Sequence, residues 1–234
     1  MEKLAYTFLT LPFVILWIVL YLKSPGIRKA MLVMSALSGL AGPIGEYWFL
    51  RDYWHPDYVL PVTVGNWRFG IEDYVLTFAM TGTAMVLFEK FGARKKWGPL
   101  PSVSWKSLFR LDMVGNFGIL LMVLFTSVIG LNSIYAILLA MVASSAPLYW
   151  ARPAWILSAL PVAAVFSLYY WIVLKFLLMP LLPGILERWW NLEALWGFRL
   201  AGVPAEEPLW AFCVALFAGP MYRFCSDGSQ KNFK

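Results

Sequence analysis

Two pairs of adjacent carboxylates stand where strongly apolar stretches begin. Glu206 and Glu207 lie between Pro204 and Pro208 in GVPAEEPLWAFCVALFAGPMY (202–222), and Glu72 and Asp73 occur in FGIEDYVLTFAMTGTAMVLF (69–88). A further acid, Glu46, sits in GPIGEYW (42–48). Carboxyls within a membrane-like run are expensive and usually face an interior cavity. Neighbouring carboxyls in a poorly hydrated pocket titrate as a unit, with the neutral form favoured. A protonated carboxyl in an apolar place is a proton donor suited to a greasy substrate. Adjacent helical residues point about 100° apart. One acid of each pair is therefore expected to face the cavity while its neighbour caps the helix or orients the first. The same residues also suit a purely structural role, because acids in a first helical turn complement the free N–H groups and the dipole.

The elements that must position these acids are membrane helices. The chain of 234 residues is 61% hydrophobic and 14% charged, with a mean hydropathy of +0.68, whereas a soluble domain carries about a quarter charged residues. Seven apolar spans have the length a bilayer requires: 4–22, 30–50, 70–88, 111–128, 134–150, 154–179 and 204–222. The first span is too long for a signal peptide and no small-residue cleavage site follows it. The expected fold is an all-α polytopic membrane protein with seven transmembrane helices. Short turns such as GLNS (130–133) join neighbouring helices.

Basic residues orient the bundle. Thirteen fall on one side, including Lys23, Arg28, Lys90, Arg94, Lys95, Lys96, Arg223, Lys231 and Lys234, against six on the other. The basic side is expected to be cytoplasmic, which places the N-terminus outside, the C-terminus inside and both acid pairs at the outer face. The localisation implied is a multi-pass protein of the cytoplasmic membrane. The net charge of +6 then needs no nucleic-acid partner. The basic loop 89–110 reads as a topogenic segment beside anionic lipid.

The chain also repeats. Setting Glu72 on Glu206 brings Asp73 onto Glu207 and Phe78 onto Phe212, and RDYW (51–54) resembles ERWW (187–190). Spans one to three and five to seven form the two units, with span four as the joint, a 3+1+3 parallel pseudo-repeat with its binding site between the units. The segments are 1–90, a first three-helix repeat; 91–130, the basic loop and linking helix; and 131–234, the second repeat and tail. The aromatic stretches 51–69 and 187–202 are expected to lie in the outer interface as short helices or loops. Interfacial belts account for most of the 13 Trp. Trp48, Trp54, Trp67, Trp190, Trp196 and Trp210 are the candidates for lining the site, where ring faces stabilise a cation.

Other chemistries find little support. His55 is the only histidine, and Cys213 and Cys225 have no metal or disulfide spacing. No G-x-G-x-x-G follows a strand, so no dinucleotide or flavin cofactor is expected. Asp52 and Asp57 form a lone D-x4-D without the second cluster of a diphosphate site. A retinal protein needs a lysine deep in the last span, which has none; Lys175 is near the outer end of the sixth. A carotenoid- or isoprenoid-binding protein without turnover, and a proton-coupled transporter, remain as alternatives.

The doubled carboxylates, the aromatic run before each and the 3+1+3 plan resemble the membrane-integral lycopene cyclase domain, which occurs as paired three-helix subunits or as one fused chain. Its P-x-E-E signature is matched by Pro204, Glu206 and Glu207, followed by Trp210 and Phe212. The first half reads Gly70-Ile71-Glu72-Asp73 and departs from it, lacking the proline and carrying aspartate as its second acid. The resemblance implies an enzyme that takes a linear carotenoid or other isoprenoid lipid from the bilayer. It implies cofactor-free acid catalysis that closes the ends of a carotene such as lycopene, with no net redox change. Glu72, Asp73, Glu206, Glu207 and Glu46 would supply acid and base. Which polyene is used, and in what oligomeric state, is not encoded in these motifs.

Overall fold

The computed structural model describes residues 2–93 and 98–227. Met1, Arg94, Lys95, Lys96, Trp97 and 228–234 lie outside the described residues, so five of the basic residues that orient the bundle (Arg94, Lys95, Lys96, Lys231 and Lys234) are not placed. The chain is mostly helical. Its principal helices are α1 (Ala5–Leu22), α2 (Arg28–Gly39), α3 (Ala41–Asp52), α4 (Ile71–Phe88), α5 (Trp105–Val123), α6 (Ser133–Ala151), α7 (Ile156–Val173), the short α8 (Ile185–Trp189) and α9 (Glu206–Asp227). Wider π-type turns prolong α4 over Glu89–Ala93, α5 over Leu124–Val128 and α7 over Leu174–Leu178.

Among the described residues, six helices are long and apolar enough to cross a membrane. The expected second span, 30–50, is divided between α2 and α3, each of 12 residues. Neither half reaches across a hydrocarbon core of about 30 Å at 1.5 Å per residue. The cause is local: Pro43 has no N–H to donate to the carbonyl of Gly39, so the ladder is interrupted there. The linking helix starts earlier than expected. Ser104 caps α5 by accepting the Ser107 N–H at 3.2 Å, which moves the start to Trp105.

α4 and α9 form the centre of the bundle. α1 and α2 pack on α4, α6 and α7 pack on α9, and α5 leans on α6 and α9. Gly219 permits the close approach, since a Cβ there would lie 3.3 Å from Phe88 Cβ. Two contacts pin the central pair at its ends. At the acid end, Trp54 and Trp190 form an antiparallel bridge, flanked by His55 N–H to Trp189 O at 2.6 Å and Asn191 N–H to Tyr53 O at 2.8 Å. At the basic end, Arg223 forms a two-pronged pair with Glu89, at 2.8 Å through Nε and 2.6 Å through Nη2. Glu89 and Arg223 each lie 17 residues beyond the first acid of their helix (89 − 72 and 223 − 206). Equal spacing with both ends in contact means that α4 and α9 run parallel.

The aromatic connections hold more than the loops and short helices expected, of which α8 is one. Each contains a β-hairpin that feeds an acid helix. Pro61–Val64 (β1) pairs with Trp67–Gly70 (β2), and Arg199–Leu200 (β3) with Val203–Pro204 (β4). Both turns use residues of positive φ, Gly65 in the first and Ala201 with Gly202 in the second, the backbone that two-residue hairpins demand. Pro204 consequently belongs to a strand, and the last helix begins at Glu206. Asp52 serves the fold: it accepts the Ser133 N–H and hydroxyl, at 3.1 and 2.5 Å, and so caps α6.

Gly42 lets α3 lie directly on α4 beside Asp73. A Cβ at this position would overlap the Asp73 carbonyl and come within 2.6 Å of Thr77 Oγ1. Backbone cannot yield as a flexible side chain does, so Gly42→Ala is expected to cost about 1–3 kcal/mol. The check is a fall of several degrees in the thermal midpoint of the detergent-solubilised protein.

Candidate functional site

One cavity of 310 Å³ lies between the two halves. Its walls come from α2, α3 and α4 on one side and α5, α6 and α9 on the other. Most of the surface is apolar, from residues such as Met80, Met141, Val214, Phe217 and Met221. Its acid end holds three carboxyls, Glu46 from α3, Asp73 from α4 and Glu207 from α9. All three side chains are buried.

These carboxyls share one pattern of partners. Glu46 accepts Trp54 Nε1–H at 3.0 Å on one oxygen and the Tyr58 hydroxyl at 2.9 Å on the other. Glu207 accepts Trp190 Nε1–H at 2.7 Å and the Tyr170 hydroxyl at 2.7 Å. Asp73 accepts the Gly70 backbone N–H at 2.7 Å and the Tyr6 hydroxyl at 2.6 Å. In every case one oxygen faces an obligate donor, an indole or a backbone amide. The other faces a tyrosine, whose hydroxyl either donates or accepts. A proton on any of these carboxyls therefore belongs on the oxygen facing the tyrosine. Burial and the facing Glu46 and Asp73 carboxylates hold the Tyr58 phenol well above its usual value.

The first acid of each pair does something else. Glu72 accepts the Val59 N–H at 2.7 Å, and Glu206 accepts the Trp196 N–H at 2.7 Å together with the Tyr135 hydroxyl at 3.0 Å. Val59 and Trp196 each precede the hairpin of their own half, so the two glutamates tie corresponding connections to α4 and α9. Neither residue lines the cavity. Both leave Oε2 buried and without a hydrogen-bond partner.

The tryptophans divide similarly. Trp48, Trp54 and Trp210 line the cavity. Trp190 is buried behind it on Glu207, with its ring centroid 5.7 Å from that of Trp54. Trp67 donates to the Pro43 carbonyl at 2.8 Å and packs on Phe69. Trp196 is 65% exposed and stacks on Tyr135. Tyr6, Tyr58 and Tyr170 do not stand out in the sequence, where tyrosines near helix ends look like interfacial belt residues. Among the described residues, no group of three or more His, Cys, Asp and Glu is arranged to hold a metal ion.

Fold and site together describe a multi-pass membrane protein with a mostly apolar cavity that holds three carboxyls at one end. Residues 132–225 match the family model described as lycopene cyclase. The second half of the chain, from the start of α6 to near the end of α9, is thus similar to a lycopene cyclase domain. No match was found among curated proteins or solved structures.

Proposed function

We propose that the protein closes the ends of a linear carotene such as lycopene by acid catalysis, without a cofactor. A protonated carboxyl adds its proton to the terminal double bond. The tertiary cation is captured by the neighbouring internal alkene, which forms the ring bond. A carboxylate then removes a ring proton, so one proton enters, one leaves and no electrons are exchanged. Acid and base must both reach the alkene, and the apolar walls keep water from the cation. Trp48, Trp54 and Trp210 offer it their ring faces.

The observation that carries this reading is the convergence of Glu46, Asp73 and Glu207 at one end of an otherwise apolar cavity. In this proposal Glu72 and Glu206 position the helices that bear the reacting acids. Both halves contribute, consistent with a fused 3+1+3 repeat divided at 1–90, 91–130 and 131–234. In that arrangement α2 and α3 together make the seventh crossing, the N-terminus is outside and the C-terminus cytoplasmic.

The test is expression in a lycopene-accumulating cell with chromatographic pigment analysis. The wild type is expected to convert lycopene to a cyclised product. Asp73→Asn should lower the yield by about 100-fold or more, the usual worth of a general acid or base. Unchanged lycopene in the wild-type strain defeats the proposal. Recovery of a protein with bound polyene but no turnover would mark it as a carrier.

A further inference from the structure

Three carboxyls meet at the acid end, although one proton in and one proton out need only two. Tyr58 stands behind two of the three without itself lining the cavity. Its ring lies directly on Gly70, where a Cβ would overlap the ring carbon Cδ1. Gly70 is the residue whose N–H binds Asp73 Oδ2 at 2.7 Å. Tyr6, which donates to Asp73 Oδ1 at 2.6 Å, has its ring centroid 6.0 Å from that of Tyr58. Tyr58 is thus fixed beside Asp73 while its hydroxyl donates to Glu46 Oε2 at 2.9 Å, and the same phenol interacts with the Asp73 carboxyl. The second half has no counterpart. At the spacing that sets Glu72 on Glu206, Glu46 falls on Pro180 and Tyr58 on Leu192. Glu207 bonds instead to Tyr170 and Trp190 of its own half.

A hydroxyl has one hydrogen to give and lone pairs with which to accept. With the Tyr58 hydrogen directed at Glu46, its oxygen is open to a proton carried by Asp73. The Asp73 proton passes to the Tyr58 oxygen as the Tyr58 proton passes to Glu46 Oε2. Two O–H bonds break and two form, the phenol ends as it began, and one proton has moved from Asp73 to Glu46. The transfer needs no solvent, and Glu46, Asp73 and Tyr58 are only 3%, 1% and 5% exposed.

We propose that Tyr58 is a positioning residue that joins Asp73 and Glu46 into one proton-accepting unit, with Glu207 as the donor across the cavity. This rests on the reading of the site as an acid catalyst of ring closure. Asp73 takes the ring proton and Tyr58 delivers it to Glu46, so that Asp73 is a carboxylate again.

The test measures initial rates of ring closure on lycopene with the full chain purified in detergent. Tyr58→Phe and Glu46→Gln should each slow closure by about 100-fold. Together they should lose no more than about threefold beyond that, because residues that act as a unit are lost only once. A tyrosine that merely held the fold would multiply its loss with that of Glu46. Gly70→Ala, which pushes the Tyr58 ring aside, is the second variant should Tyr58→Phe fail to fold, and it should show the same overlap with Glu46→Gln. Multiplied losses, or a full rate in Tyr58→Phe, overturn the proposal. Infrared spectroscopy without substrate reads the link apart from turnover. Asp73→Asn should shift the Glu46 carboxyl band, identified by its loss in Glu46→Gln, in the wild-type background but not in Tyr58→Phe; an equal shift in both overturns the relay. Coupling without ring closure by the wild type defeats the cyclase reading alone, whereas ring closure without coupling defeats the relay alone.

Discussion

Glu207→Gln should reduce ring formation by about 10³-fold, within the range general acid–base catalysis supplies, while Glu206→Gln should retain it to within about tenfold. The two substitutions are chemically identical and one residue apart, so the contrast isolates position. At Glu207 the glutamine keeps both contacts. Its carbonyl accepts from Trp190 Nε1, and its amide donates to the Tyr170 oxygen, which has only to reverse its role. Shape and packing are preserved and only the exchangeable proton is lost. At Glu206 the carbonyl still accepts from the Trp196 N–H and Tyr135, and the amide takes the place of an oxygen that already had no partner. The hairpin therefore stays tied to α9. Both variants are scored by pigment chromatography in lycopene-accumulating cells, normalised to the amount of protein in the membrane. Loss of cyclisation in Glu206→Gln with retention in Glu207→Gln would reverse the assignment of roles.

The acid pairs were legible because their cost in an apolar run demands an explanation wherever they occur. The split of labour within each pair was legible too, since adjacent helical residues diverge by about 100°. What the sequence did not mark was which member turns inward, because that depends on how α4 and α9 are rotated against their neighbours. The hairpins were missed although Gly65-Asn66 is a recognised turn signal; the surrounding tryptophans drew the reading toward an interfacial belt. The break between α2 and α3 was visible in Gly42, Pro43 and Gly45, but hydropathy averages across it. The tyrosine partners were the least legible element. Tyr6 and Asp73 are 67 residues apart, and Tyr170 and Glu207 are 37 apart. Nothing local to either partner announces such a contact, and only the packing of α1 on α4 and α7 on α9 creates it.

Removing the arginine of the basic-end ion pair should be the most damaging single change to stability. Arg223 and Glu89 are 1% and 3% exposed, and Arg223 also donates to the Gly98 carbonyl at 3.0 Å. Two charges taken from water gain little as a pair over a well-packed apolar substitute, but one of them left alone is costly. Arg223→Met is therefore expected to cost about 3–5 kcal/mol, read as loss of monodisperse protein on size exclusion after mild heating in detergent. Glu89→Leu combined with Arg223→Met should recover most of that loss, because both buried charges are then replaced by apolar groups. The two residues occupy corresponding positions in the two halves, so they meet where the parallel helices α4 and α9 converge. Two identical residues of either sign would repel there. Exchanging them, as Glu89→Arg with Arg223→Glu, keeps one charge of each sign at the contact and gives up the bond to Gly98. The exchanged protein should accordingly be more stable than Arg223→Met, and if it proves as unstable, the contact depends on more than the complementary charges of equivalent positions.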